Sequence, residues 1–156
     1  MTKKEAKKLC AEANEVCADG DTARAVELWI VAAEAGNADA QYYLGICYAE
    51  GEAVPQDDVK AAEWWKKAAA QDHTQALFNM GTCFEAGRGV KQDNVDALSY
   101  YMKAAFQGDP IAQYNVGVFY ANGCVMKQNL FEAKRWLEAS AEQGYEKAID
   151  ALKRNF

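Results

Sequence analysis

The chain carries one histidine, His73, among 156 residues. A lone histidine in a turn supplies neither a nucleophile–base triad nor a convincing metal cluster, so no catalytic residue, no metal site and no cofactor is expected. Basic residues are also the minority. Seventeen Lys and Arg against 23 Asp and Glu leave a formal charge of −6. That balance argues against a nucleic-acid partner, because proteins that grip a phosphate backbone present a basic patch to it. An acidic surface that keeps the chain in solution is the simpler reading. No apolar run approaches the length of a membrane span. The lysine-containing start, Met1 to Lys8, is not followed by the apolar core of a secretory signal, since Glu12, Asn14, Glu15 and Asp19 interrupt it. A cytoplasmic location is expected, with a secreted or periplasmic one open if a leader has been trimmed. Five cysteines, an odd and irregularly spaced set, do not form a disulfide framework. Cys10 and Cys17 stand two helical turns apart, roughly 10 Å, too far to bridge, and two thiols alone do not make a zinc site. Cys47 and Cys83 occupy matching positions and are predicted to be buried as small hydrophobes in a reducing compartment.

What the chain does have is a period. Ala40 to Gly51 reads A-Q-Y-Y-L-G-I-C-Y-A-E-G. It returns at Ala76 to Gly87 as A-L-F-N-M-G-T-C-F-E-A-G, and again at Ala112 to Gly123 as A-Q-Y-N-V-G-V-F-Y-A-N-G. A fixed repeat of 36 residues is the signature of stacked helical units. About half of the residues, 51%, are apolar, enough for one cored domain rather than a disordered tail.

Each unit reads as two helices. Helix A begins at Ala38, Thr74 or Pro110, where proline suits a first turn, and ends at Gly51, Gly87 or Gly123. Helix B follows a short connector and starts at Asp57, Asp93 or Asn129, all good N-cap residues. The same explanation covers Asp57-Asp58 and Asp19-x-Asp21 better than calcium ligation does. Gly87-Arg88-Gly89 resembles the opening of a phosphate loop, but Gln92 stands where a third glycine is needed and no strand precedes it. Two further helices are predicted before the regular units, Met1 to about Ala18 and Thr22 to Ala35, separated by Asp19-Gly20-Asp21. Tyr145 to Phe156 reads as a last helix with Glu146, Lys147, Asp150, Lys153 and Arg154 on a polar outer side. The segments are therefore 1–36, 38–72, 74–108, 110–144 and 145–156 within a single repeat domain, 1–156.

Gly45, Gly81 and Gly117 recur in the middle of helix A, where glycine costs about 1 kcal/mol relative to alanine. The recurrence predicts a helix passing too close for a Cβ, with the Ala-Ala pairs of helix B opposite. Leu44, Met80 and Val116, with Tyr48, Phe84 and Tyr120, are expected to supply apolar bulk. Trp29, Trp65, Tyr101 and Leu137 fill the matching place on helix B.

These residues carry a family likeness. Ala40, Leu44, Gly45, Tyr48, Gly51, Val54, Asp57, Lys60, Ala61, Trp64, Lys67, Ala68 and Ala69 follow the pattern of the Sel-one-like repeat, a relative of the tetratricopeptide repeat. The second copy keeps Gly81, Phe84, Gly87, Gly89, Val90, Asp93, Ala97, Tyr100 and Lys103. The third keeps Gly117, Tyr120, Gly123, Ala133 and Trp136, although its connector, with Cys124, departs from the pattern. The first unit is shorter and looks more like a tetratricopeptide hairpin. The resemblance implies an all-α, right-handed α-solenoid of tandem antiparallel helix hairpins. A cysteine-rich branch of the family clamps its hairpins with paired cysteines, which this chain does not reproduce, so that branch's secretion and hydrolase-like activity are not carried over.

By the same resemblance, helix A would line a concave groove holding a peptide or protein segment. The stripe beside the packing stripe then names the candidates: Tyr42, Ile46, Phe78, Thr82, Tyr114 and Val118, with Asn79 and Asn115 as hydrogen-bonding neighbours. Tyr42, Phe78 and Tyr114 fall in phase as an aromatic row, which is either an exposed docking surface or inter-repeat core. The leading function is a non-catalytic adaptor for a protein or peptide, from a monomer or weak homo-oligomer. The alternatives are a hydrolase-type enzyme on cell-wall-like substrates, which needs a cleft with converging ionisable groups, or a self-associating structural repeat. His73 is expected to sit at the surface of a turn.

Overall fold

The computed structural model describes the whole chain, Met1 to Phe156, as nine α-helices without a strand. They are α1 (Lys3–Ala18), α2 (Thr22–Glu34), α3 (Ala38–Glu50), α4 (Asp58–Ala69), α5 (Thr74–Ala86), α6 (Asn94–Phe106), α7 (Pro110–Asn122), α8 (Leu130–Glu142) and α9 (Glu146–Asn155). Each helix packs chiefly on its neighbours in sequence, so the hairpins α1–α2, α3–α4, α5–α6 and α7–α8 stack in order and α9 closes the row. No helix is long and apolar enough to cross a membrane.

Local chemistry explains the boundaries. Asp21, Asn37, Asp57, Asp93, Asp109 and Asn129 each accept a backbone N–H of the helix they precede, which satisfies donors that have no partner within the helix. Helices α3, α5 and α7 end on Gly51, Gly87 and Gly123 in the left-handed conformation, at φ of 71°, 69° and 65°. The connectors that follow are tied down alike. Gln56, Gln92 and Gln128 donate from Nε2 to the carbonyls of Ala49, Glu85 and Ala121 at 3.1, 2.9 and 2.7 Å. The backbone N–H groups of Asp57, Asp93 and Asn129 donate to the carbonyls of Tyr48, Phe84 and Tyr120. The divergent third connector keeps these anchors. It lacks the second left-handed residue that Ala53 and Gly89 supply in the other two.

The side chains nearest the mid-helix glycines are large helix-B residues rather than alanines, although the Ala133 carbonyl would also stand 3.2 Å from a Cβ on Gly117. A Cβ on Gly45 would stand 2.2 Å from Nε1 of Trp65, one on Gly81 would stand 2.5 Å from the Tyr101 ring, and one on Gly117 would stand 2.9 Å from Leu137 Cγ. The glycine is a notch for the large anchor of helix B, rather than one half of a contact between small residues. In the notch the Trp65 indole donates to the Tyr42 carbonyl at 3.1 Å. Alanines Ala61, Ala68, Ala97, Ala104 and Ala133 line the same interface and are fully buried. Tyr48, Phe84 and Tyr120 pack against the core as half-buried rings, while Leu44, Met80 and Val116 are fully buried and Cys47, Cys83 and Phe119 are buried with them. Phe84 also stacks on Tyr100, with ring centroids 5.6 Å apart.

Joints between units carry a polar pairing that periodicity alone does not reveal. Gln41 and Gln113 are buried and donate to the Ala33 and Ala105 carbonyls at 3.1 and 3.2 Å. Each accepts in turn from a glutamine 30 residues on, Gln71 or Gln143, at 2.9 Å. All five thiols are free. Burial pushes those of Cys10, Cys47 and Cys83 up to about 11.

The notch yields a ranked prediction. Alanine at Gly45 must displace a rigid, hydrogen-bonded indole, and overpacking of this kind costs roughly 1–3 kcal/mol, outweighing the helix-propensity gain of about 1 kcal/mol. Urea unfolding is expected to show Gly45→Ala as clearly destabilised, Gly81→Ala as less so, and Gly117→Ala as the least destabilised of the three. Equal midpoints for the three variants would refute the notch.

Candidate functional site

Helices α1, α3, α5, α7 and α9 share one face of the stack, and cavities open along it. Between α1 and α3 lies a cavity of about 360 Å³, bounded by Asn14, Cys17, Trp29, Tyr43, Ile46 and Glu52. Its wall is a stacked pair, Trp29 on Tyr43, with centroids 5.1 Å apart and planes inclined by 19°. Trp29 Nε1 donates to Asn14 Oδ1 at 2.9 Å, so the polar edge of the indole is satisfied. Between α3 and α5 a second cavity, of about 340 Å³, is bounded by Tyr42, Ile46, Glu50, Asn79 and Arg88, with Trp65 below. Ile46 belongs to both cavities. A third, of about 350 Å³, is bounded by Tyr114, Val118, Leu130, Leu137, Ala151 and Phe156.

Between α5 and α7 the face is closed by polar contacts. The Tyr101 hydroxyl, at the tip of a buried anchor, donates to Glu85 Oε2 at 2.7 Å and lies 3.2 Å from Thr82 Oγ1. Asn115 lies near the same hydroxyl, and burial raises the phenol well above its ordinary range. Thr82 also donates back to the Phe78 carbonyl at 3.2 Å.

The eight candidate residues therefore divide. Tyr42, Ile46 and Asn79 meet at the second cavity, and Tyr114 and Val118 at the third. Phe78, Thr82 and Asn115 gather around Tyr101 instead, with the Phe78 ring 5.7 Å from it. Tyr42, Phe78 and Tyr114 are all half-buried, so the row is partly surface and partly packing. They do not stack on one another. Tyr42 stacks on His73 at 4.7 Å, and Tyr114 meets Tyr145 edge-on at 5.4 Å. The cavity at α1 holds Asn14, Cys17, Trp29 and Tyr43, which were not among the candidates. A signal was present: Asn14 and Cys17 stand to Ala13 as Ile46 and Ala49 stand to Gly45.

His73 is not a surface residue of a turn, for its side chain is only 11% exposed. It is the N-cap of α5. Its Nδ1 accepts from the Ala76 N–H at 3.2 Å, its Nε2 faces Asp39 Oδ1 at 3.3 Å, and its ring lies on Tyr42. Accepting through Nδ1 requires the neutral ring. Burial lowers its pKa below the ordinary 6.5, against the opposing pull of Asp39.

Stacked antiparallel hairpins with a 36-residue period define a helical-repeat protein. The chain belongs to the Sel1 repeat family, whose model matches residues 17–37, 38–73, 74–109 and 110–145. The first match takes in only the turn and second helix of the first hairpin. No curated protein matches. Among solved structures, the chain is similar to a Sel1 repeat protein from Oxalobacter formigenes, with 28% identity, TM-score 0.83, and coverage of 92% of this chain and 60% of that one. It is also similar to c5321, a protective antigen of uropathogenic Escherichia coli, with 29% identity, TM-score 0.79, and coverage of 81% and 27%. The chain thus spans about a quarter of the length of one and three fifths of the other. Helicobacter pylori cysteine rich protein B shares the fold at 22% identity and TM-score 0.55, with coverage of 72% and 95%. Sel1 repeats generally build protein-interaction scaffolds, and the family is typically non-enzymatic.

The His73 geometry sets a pH dependence. The folded state resists protonation where the unfolded chain accepts it, so stability is full above about 6.5 and falls as pH drops through that value toward the lowered folded pKa. Replacing His73 with asparagine, the capping residue at the matching Asn37, is expected to keep the melting temperature at pH 8. It should also shrink the loss between pH 7 and pH 5. An identical pH profile in wild type and His73→Asn would contradict the assignment.

Proposed function

We propose that this chain is a binding module that takes up an extended segment of a partner protein along the face formed by α1, α3, α5, α7 and α9. The observation that carries this reading is the meeting of Tyr42, Ile46 and Asn79 over Trp65 in one open cavity. Apolar walls would take a side chain of the segment. The Asn79 amide, which makes no hydrogen bond within the chain, has a donor and an acceptor free for the segment's backbone. Half-exposed aromatic rings already braced by a neighbour lose little freedom on binding, which favours them as anchors. The cavity at Tyr114 and Val118 would take a second side chain further along. No group of three or more His, Cys, Asp or Glu side chains is placed to hold a metal ion, and no observation favours the hydrolase alternative.

The test is selection of binders from a displayed peptide library. Tyr42→Ala combined with Tyr114→Ala is expected to weaken the selected peptides by more than about tenfold, with helical circular dichroism retained. Ile46→Ala with Val118→Ala, which spares the ring stacking, should act in the same direction. Unchanged affinity in both folded variants would sink the reading.

A further inference from the structure

The groove is not uniform in charge. Glu50 lines the cavity between α3 and α5, and Glu52 lines the cavity between α1 and α3, on either side of Ile46. Both carboxylates are exposed and neither takes part in an ion pair. Glu52 has only a long contact from the Thr22 hydroxyl, at 3.4 Å. The one cation on these two cavities, Arg88, is turned to Asp58 of the preceding unit at 3.1 Å, which offsets its charge locally. Glu85, near the C-terminal end of α5, is engaged by Tyr101. The opposite end of the face differs, with Lys147, Asp150 and Arg154 around its last cavity and a local excess of positive charge. The acidity around Ile46 is therefore a local feature and not only the reflection of a net charge of −6.

Two apolar cavities that meet at one isoleucine, with an unpaired carboxylate on the rim of each, suit one kind of occupant. We propose that this end of the groove recognises a partner segment in which a lysine or arginine is bracketed by bulky apolar side chains. The apolar groups would fill the cavities on either side of Ile46 and the cation would lie between Glu50 and Glu52. This inference rests on the groove reading above and adds the chemistry of the partner to it. Rim charges of this sort govern choice of partner and rate of encounter more than raw affinity, and salt weakens them.

The experiment is a random-peptide phage selection run in parallel on wild type, on Glu50→Lys with Glu52→Lys, and on Ile46→Ala. Wild type is expected to enrich Lys or Arg flanked by Leu, Ile, Phe, Tyr or Trp. The charge-reversed chain is expected to enrich Asp or Glu at the same place. A synthetic wild-type-selected peptide should bind Glu50→Gln with Glu52→Gln about fivefold more weakly at low salt, with the difference shrinking at high salt. Both glutamates are exposed, so these variants fold. Peptides that depend on Ile46 but show no basic preference, and no change on charge reversal, would overturn this inference and leave the groove standing. A selection that yields no peptide sensitive to Ile46→Ala would overturn both.

Discussion

The fit of one large side chain into one missing Cβ organises this molecule. Each of the three regular hairpins is closed by an anchor on its second helix, Trp65, Tyr101 or Leu137, set against a glycine on its first helix, Gly45, Gly81 or Gly117; in the first hairpin Ala13 stands at the matching place. A glycine in a helix interior is unfavourable on its own. It persists because burying an aromatic or branched side chain flat against the backbone yields several times that cost. Where the anchor is tryptophan, its N–H finds the Tyr42 carbonyl, so a polar atom enters the core with its partner. Where it is tyrosine, the hydroxyl crosses the interface and emerges at Glu85 and Thr82. Where it is leucine, no polar tip exists and the groove above it stays open.

The choice of anchor thus shapes the face on which function is placed. Tyr101 fills its part of the groove with polar contacts, whereas Trp65 leaves a cavity under Tyr42, Ile46 and Asn79. A repeat scaffold can vary its binding surface in this way without altering the stacking rule, because the anchor is read on two sides. Its body sets the hairpin and its tip sets the groove. The remaining variation lies at the rim, where Glu50 and Glu52 at one end and Lys147 and Arg154 at the other give the face a direction.

Much of the fold was legible because its determinants are local and recur. Asp57, Asp93 and Asn129 announce helix starts through a side-chain oxygen, and Gly51, Gly87 and Gly123 announce ends through a conformation other residues resist. What escaped depends on contacts between units. A recurring glycine signals close approach, yet the sequence does not distinguish an alanine opposite from a tryptophan lying flat. His73 looked exposed because it occupies a turn, but its side chain is largely covered, with Tyr42 of the preceding unit lying over it. Phe78, Thr82 and Asn115 shared the phase of true cavity residues but gather at Tyr101, Phe78 against its ring and the two polar side chains near its hydroxyl, a group absent from the matching Trp65 and Leu137. The α1 cavity was overlooked because the first hairpin breaks the 36-residue period, although Ala13 supplies the register that recovers Asn14 and Cys17.

The central claim is that glycine and anchor are one unit, and a double-mutant cycle measures it. Trp65→Leu places at Gly45 the side chain that Gly117 already faces, where a Cβ would have 2.9 Å rather than 2.2 Å. If the account holds, Gly45→Ala is strongly destabilising in wild type but much less so in the Trp65→Leu background, a coupling of at least about 1 kcal/mol. The same cost for Gly45→Ala in both backgrounds would contradict it.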